Sequence, residues 1–508
     1  MTSAISPNQD IGPLPTLASL LSMGGDTRIV RDPPSGANQY GCPPRPVCLP
    51  AYGSSTASTI SPSAFAALRA LHQRLSIAGA DSARPVGRGL ALEFDRLRSE
   101  LADLCALGAP EKTGIIFAAS GTDIHLIATQ LAANDRSDDG SAQSPLLVVM
   151  AESTETGNGV PAALRGHHPS ERAAMAGAVR SGVPLAGVKR VEVVEVPSRT
   201  QDGSAISATT ISEHVEVLVT RALSAEQRVL LVVDDVSKTG LLAPTPACAL
   251  DLLRRFPAKV DILIDACQFR LAPSTLHSYL GHGFLVALTG SKFVTGPAFS
   301  GALLVPQGLA SQWRNRRLPG SLAEYSACAD WPQGWTARKD LPHTANIGLL
   351  FRWEAALAEL KSFHALAESE VTAFLRAFAS AVQARIAGDP AFDPLDVPPL
   401  DRGPVVASGT WDSVPTIFPF LLRRPEYLSS EETVMVYKKL LARHGQLGQP
   451  VRCGLRQGRP VSALRLCASM RLAVDALSPQ GRGCDTVIAE AIEILDKTAL
   501  LSKNPGPI

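Results

Sequence analysis

The chain has few aromatic residues, 5% of 508 positions, and no excess of charge of either sign, with 48 Lys and Arg against 47 Asp and Glu. A near-neutral chain has no electrostatic reason to bind nucleic acid or an anionic membrane, and so few aromatics offer no stacking platform for bases. No stretch approaches the roughly eighteen unbroken apolar residues of a membrane span. The opening Met1-Thr2-Ser3-Ala4-Ile5-Ser6-Pro7 lacks a basic segment followed by an apolar one, so neither secretion nor membrane insertion is expected. Nine cysteines are scattered without a C-x-x-C pair. That pattern signals neither a zinc site nor a disulfide framework, and a reducing cytoplasm is the expected location. The dinucleotide fingerprint G-x-G-x-x-G and the phosphate loop G-x-x-x-x-G-K-[ST] are both missing.

What is present, 45% apolar and 19% charged residues, suits a soluble α/β enzyme. Residues 1–62, rich in Gly, Pro and Ser, read as an extended arm, although N-Q-Y-G-C-P-P (38–44) and Y-G-S-S-T-A-S-T (52–59) are more specific than a linker needs. At Ser61-Pro62 a cap and a first-turn proline precede apolar spacing at Phe65, Leu68, Leu71 and Leu75, which predicts a helix. Seven strand-length apolar runs then alternate with helical spacing: Ile115–Ala118, Leu146–Met150, Val191–Val196, Val229–Val233, Ile262–Ile264, Phe284–Leu288 and Ala302–Val305. This alternation predicts a three-layer α/β fold around a seven-stranded, mostly parallel sheet. A Ser/Asp/Gly stretch at 135–144 reads as a surface loop. Long helices are expected at 346–363 and 368–387, then a small α+β domain with strands at Thr416–Leu422 and Ala463–Cys467 and helices at 430–443 and 485–500. The expected units are an arm (1–62), a large domain (63–340), and interdomain helices with a small C-terminal domain (341–508).

In such sheets ligands bind beyond the carboxyl ends of the strands, so the polar residues that follow the apolar runs carry the most weight. After the first run, Ser120-Gly121-Thr122-Asp123 opens a helix, a turn able to hold a phosphate or simply to cap the helix. Asp265-Ala266-Cys267-Gln268 ends the fifth run and Thr289-Gly290-Ser291-Lys292 the sixth. Each alone reads equally as an ordinary capping Asp or a solvated Lys. In this order they resemble the fold type I pyridoxal-phosphate enzymes, nearest to the class V aminotransferase and cysteine desulfurase group, with its D-A-x-Q and its S-x-H-K before G-P.

That resemblance implies pyridoxal 5'-phosphate as cofactor, Schiff-base and quinonoid chemistry on an amino acid or amine, and a homodimer with the site near the interface. It implies Lys292 as the Schiff-base lysine and proton carrier, and Asp265 as the partner that keeps the ring nitrogen protonated. Gln268 would donate to the phenolic oxygen, and Gly121, Thr122, Thr289 and Ser291 would hold the phosphate. Ser237, in V-S-K-T-G (236–240), falls where the desulfurases carry an Asn that touches cofactor or substrate. Arg465, in V-S-A-L-R-L-C-A-S (461–469), would clamp a substrate carboxylate. Asn38, Tyr40 and Tyr52 of the arm are candidate substrate contacts, and His125 is expected to be structural.

The departures are Ser291 where the family has His, a Gly296-Pro297 one residue late after Thr295, and no evident ring-stacking group after Leu146–Met150. A desulfurase needs a reactive Cys on a loop just before the carboxylate-binding Arg. Here Gln457 takes that place, Cys453 is displaced, and Cys267 and Cys467 read as core thiols. The expected activity is therefore aminotransferase, with a lyase or carbon–carbon bond-forming synthase as the alternative. A cysteine desulfurase and a non-catalytic binding protein come behind them.

Overall fold

A computed structural model describes residues 14–80, 86–108, 113–134, 144–407 and 409–504 of the chain. All but the last residue of the loop expected at 135–144 lies outside the described residues. The arm contributes strand β1 (Ala51–Tyr52) and ends at helix α1 (Pro62–Ala80), started as expected by Ser61, whose hydroxyl accepts from Ala64 N–H. The seven expected apolar runs are all strands: β2 (Gly114–Ala118), β3 (Leu146–Ala151), β4 (Glu192–Val196), β5 (Arg228–Asp235), β6 (Val260–Ala266), β7 (Leu285–Thr289) and β8 (Gly301–Val305). Their order across the sheet is β2-β8-β7-β6-β5-β3-β4, and only β8 runs against the rest. The two-residue strand Leu242–Ala243 adds to β5.

These runs are continuously apolar because both faces of the sheet are covered. Along β5, Val229, Leu231 and Val233 enter one core, whereas Leu230 and Val232 enter the other. Side chains alternate faces with a period of two, so a strand buried on both sides must be apolar at every position. Helix α2 (Gly121–Ala133) follows β2 directly, capped by Ser120, and α3 (Ala208–Ser224) leads into β5.

After the sheet come α4 (Ile347–His364) and α5 (Glu368–Ala387), close to the expected bounds. The second sheet has the order β1-β11-β12-β10-β9, with β9 (Phe392–Pro394), β10 (Ile417–Arg424), β11 (Gln446–Arg456) and β12 (Arg459–Cys467). Helices Ser430–Ala442 and Cys484–Ser502 pack with it. Strand β11 was not foreseen, because Gly448, Pro450 and Gly454 read as turn residues. It tolerates them through two register shifts against β12, at Gly448/Val451 and at Arg452/Leu455. The arm joins this sheet, with Ala51 and Tyr52 pairing in parallel with Gln446 and Leu447.

One buried ion pair ties the connector after α5 to the large sheet. Asp235, fully buried at the end of β5, receives two hydrogen bonds of 2.7 Å from Arg402 and one of 2.6 Å from the Tyr279 hydroxyl. Removing one partner of such a pair leaves an uncompensated charge in the core. Arg402→Ala is expected to lower unfolding stability by about 3–5 kcal/mol in chemical denaturation, and Tyr279→Phe by only about 0.5–1.5 kcal/mol.

Candidate active site

Strand ends β5, β6 and β7, the start of α2, the arm and the β11–β12 hairpin surround one cavity of about 640 Å³, within the range of small-molecule sites. Lys292 enters it from the turn after β7. That turn is drawn tight: Gly290 N–H donates to Ser300 O at 2.8 Å, and a Cβ on Gly290 would stand 2.5 Å from Cβ of Ala356 on α4. Thr295, the extra residue before Gly296-Pro297, has φ 69° and closes a turn in which its N–H donates to Lys292 O. The turn holds the lysine backbone while its amine makes no hydrogen bond or ion pair to the described residues.

Asp265 ends β6 opposite this amine. Its Oδ1 accepts from Cys267 N–H at 3.1 Å, and its Oδ2 lies 3.3 Å from Nε2 of His125. The other ring nitrogen of His125, Nδ1, is 2.7 Å from Gly121 O, an acceptor that requires Nδ1 to carry a proton. Burial alone would raise the Asp265 pKa, but His125, followed by Lys292, holds it well below the ordinary carboxylate value. Burial likewise opposes a charge on His125, and Asp265 outweighs it and raises the histidine pKa. The two groups thus favour each other's charged forms across 3.3 Å. His125, expected to be structural, is buried against Gly121 O and Asp265, an orientation set by the phase of α2.

At the opposite wall, α2 presents its first turn. The N–H groups of Gly121 and Thr122 have no acceptor within the helix, and a Cβ on Gly121 would stand 2.8 Å from Sγ of Cys267, so the turn sits directly on the strand end. Thr122 and Ser291 line the cavity beside it. Thr289 donates its proton to Cys267 O at 2.6 Å, so it stiffens the turn and offers an oxygen where the sequence reading expected a donor. Gln268 likewise directs its amide nitrogen at Ser55 O, 3.1 Å away, and leaves Oε1 buried without a partner. Ser237 lines the cavity and donates to Glu155 at 2.6 Å. Arg199 and Thr239 also hold that carboxylate and, against its burial, keep its pKa low.

Arg465, on β12, is 1% exposed and points into the same cavity. It donates to the carbonyls of Lys238 and Gln449 and to the hydroxyl of Thr56, and no carboxylate lies within ion-pair distance among the described residues. Burial lowers its pKa from the usual arginine value. Lys238 lines the cavity too, with Nζ 3.1 Å from Thr154 O, and burial followed by the nearby Arg465 and Lys292 charges lowers its pKa to about 8.

The arm reaches the cavity, but not through all the residues expected. Tyr40 lines it with Arg28, Ser55 and Thr56. Tyr52 does not: its hydroxyl bonds Val487 O and Glu490 while its ring stacks on Phe378, so it is a core residue of the second sheet. Asn38 caps an arm turn instead, accepting from the N–H groups of Tyr40 and Cys42. Both are corrections to the substrate-contact reading, and in both the side chain is already committed to a local or core partner. Ser55 and Thr56 had a signal in the polar run 54–56, a stretch too hydroxyl-rich for a linker. Arg28 had none.

No family model matches the chain, and no curated protein matches its sequence. Solved structures do. A NifS-like protein is 12% identical with a TM-score of 0.54 over 88% of this chain and 100% of that one. The complex between the cystine C–S lyase C-DES and its reaction product cysteine persulfide is 14% identical, with a TM-score of 0.52 over 87% and 97%. The glutamate decarboxylase domain of diaminobutyrate-pyruvate transaminase and L-2,4-diaminobutyrate decarboxylase from Vibrio parahaemolyticus is 14% identical, with a TM-score of 0.51 over 90% and 80%. The chain has the fold of the fold type I pyridoxal-phosphate enzymes. At such identities the likeness establishes the fold alone.

The residues themselves fit the cofactor of that fold type. Ser55 Oγ, Thr156 Oγ1, Gln268 Oε1 and Arg465 Nε are buried polar atoms of cavity-lining residues and have no protein partner. Buried polar groups left unpaired are costly and rare, so their clustering around a free lysine amine marks a polar ligand site. The glycine cradle of α2 suits a phosphate, and the ionised Asp265 suits a protonated ring nitrogen.

The desulfurase nucleophile has no counterpart among the described residues. Gln457, with φ 52°, and Gly458, with φ 74°, form the tight turn of the β11–β12 hairpin, so a two-residue connection stands where a mobile loop would be required. Cys453 is packed with Leu395, Leu421, Val461 and Ala463, and burial pushes its thiol pKa up to about 11. Cys267 does line the cavity, but burial followed by Asp265 raises its pKa well above the usual thiol value. Neither is an activated thiolate.

Proposed function

We propose that this protein is a pyridoxal-phosphate-dependent enzyme acting on an amino acid or amino-acid-derived amine, with amino-group transfer as its reaction. The observation that carries the reading is Arg465: a fully buried guanidinium without a carboxylate partner, in one cavity with Lys292 and the Asp265–His125 pair. A buried cation of this kind needs an anion, and an amino-acid carboxylate supplies one in the planar, two-pronged geometry that arginine prefers.

The cofactor, when bound, supplies an electron sink for the bond broken at the substrate α-carbon. The free N–H groups of Gly121 and Thr122 hold its phosphate. Asp265 keeps a proton at the ring nitrogen, and His125 keeps Asp265 ionised. Lys292 carries the proton to and from the α-carbon while Arg465 fixes the carboxylate. Ser55, Thr56 and Tyr40 of the arm cover the cavity from the other side. The reading includes a homodimer and a reducing cytoplasm.

A lyase is the alternative, favoured by one observation. Lys238 places a second buried amine, with a pKa of about 8, in the same cavity, available to protonate the group that leaves the β-carbon in an elimination.

The test is the visible spectrum of the cofactor-loaded protein with a panel of amino acids. Transfer predicts bleaching to a stable pyridoxamine form that a keto acid reverses, and recovery without a keto acid favours the lyase. In either case Arg465→Ala is expected to lose about 2–5 kcal/mol of substrate affinity with the cofactor spectrum intact. Equal affinity for amino acids in variant and wild type is the contrary result.

A further inference from the structure

Asp234 stands on β5 directly beside Asp265 of β6, and it lines the cavity that Lys292 enters. It is 2% exposed, and neither of its carboxyl oxygens has a hydrogen-bond partner. The next residue, Asp235, points to the opposite face and is fully met by Arg402 and Tyr279. The unmet state therefore belongs to the cavity side of the strand, not to the strand end as such. The ionisable groups that act on Asp234 are Asp265, Glu155, Lys238 and Lys292. The two carboxylates among them are already matched, Asp265 by His125 and Glu155 by Arg199. The Lys238 amine is turned to the carbonyls of Ser153 and Thr154. Lys292, the remaining cation, makes no hydrogen bond to Asp234, and a buried carboxylate with no donor on either oxygen takes up a proton instead. Burial, followed by the Asp265 and Glu155 charges, raises its pKa well above the ordinary carboxylate value.

We propose that Asp234 is a neutral carboxylic acid that donates a hydrogen bond to the phenolic oxygen of the cofactor bound at Lys292. This rests on the pyridoxal-phosphate reading above. Of the cofactor's oxygens, the phosphate's belong to the α2 turn, and the aldehyde oxygen is lost as water when Lys292 condenses. The phenolic oxygen is the one left to find a donor. Gln268, expected from sequence to supply it, has one of its two amide N–H donors on Ser55 O, which leaves a second donor to share that oxygen with Asp234. A neutral carboxylic acid is a strong donor for a phenolate, and a neutral Asp234 adds no second negative charge beside Asp265, which His125 and Lys292 hold ionised.

The experiment titrates the visible band of the cofactor-loaded wild type, Asp234→Asn and Asp234→Ala against pH, and titrates each apoprotein with pyridoxal phosphate. Without the donor, negative charge concentrates on the phenolic oxygen and holds the proton on the Lys292 nitrogen more tightly. Asp234→Ala is therefore expected to raise the midpoint by about one unit, a tenfold change in proton affinity, and to weaken cofactor binding by a similar factor. Asp234→Asn, whose amide still donates, is expected to stay close to wild type in both. An infrared difference between wild type and Asp234→Asn is expected to show loss of a protonated-carboxyl C=O stretch. That measurement decides the matter if Asp234→Ala does not fold. Coincident midpoints in all three proteins, an Asn variant shifted as far as the Ala variant, or no protonated carboxyl in the wild type would each overturn the proposal. A wild type that shows no cofactor band at all would overturn the pyridoxal-phosphate reading with it. A normal band with unshifted variants overturns only the role of Asp234.

Discussion

Lys292→Ala is expected to abolish turnover, by at least about 10²–10⁴-fold, the range of a positioned acid–base group, and to remove the covalent attachment of the cofactor. Lys292 is in the cavity on a tight turn, with no hydrogen bond or ion pair of its own to break. The substitution therefore deletes an amine without unsettling a network, and far-UV circular dichroism should be unchanged. Borohydride reduction of the loaded wild type, followed by peptide mapping, should place the pyridoxyl group on Lys292 and leave the variant unlabelled. Lys238 is the informative competitor, because it shares the cavity and its lowered pKa of about 8 leaves part of its amine unprotonated near neutrality. Its Nζ, however, is turned to two backbone carbonyls, Ser153 O and Thr154 O. A label on Lys238 in the wild type would transfer the attachment role to it.

Asp265→Asn is expected to retain the cofactor and lose turnover on the order of 10²-fold or more. The amide keeps the shape of the carboxylate and can still accept from Cys267 N–H, but it carries no charge to hold a proton on a ring nitrogen. It also releases His125. Without its carboxylate the histidine loses the largest influence that raises its pKa, against a burial that lowers it. The sign follows for stability as well. Asp265 has a folded pKa below its unfolded one, so its contribution is full above the ordinary carboxylate range and is lost as pH falls through the folded value. The wild type should therefore lose more stability than Asp265→Asn when acidified below that range. A turnover equal to wild type in Asp265→Asn would mean that some other group protonates the ring.

Much of the architecture was legible before any coordinates. The seven apolar runs became seven strands because burial on both faces leaves a signature in every residue, and Ser61-Pro62 started a helix because a cap is a local device. Strand β11 escaped because its glycines and proline sit at register shifts, where a partner strand decides what is tolerated. The residues of the turn after β7 and of the end of β6 could be picked out as polar groups closing apolar runs. The arm was harder. Tyr52 and Asn38 are chemically plausible contacts and both proved committed elsewhere, whereas Ser55 and Thr56, just beyond Tyr52, reached the cavity.

What the sequence determined by itself was therefore the set of elements and the strand ends that carry chemistry, since periodicity, capping and turn residues act within a few positions. Only the tertiary structure decided which groups meet: His125 turned onto Asp265, Arg465 brought from β12 into the cavity of Lys292, and Asp234 left without a partner where Asp235 beside it has two. Each of those outcomes depends on the phase of a helix or the face of a strand relative to an element one hundred or more positions away. No local pattern encodes that phase; it is set when the sheets and helices pack, and the same packing that satisfies Asp235 leaves Asp234 facing the cavity.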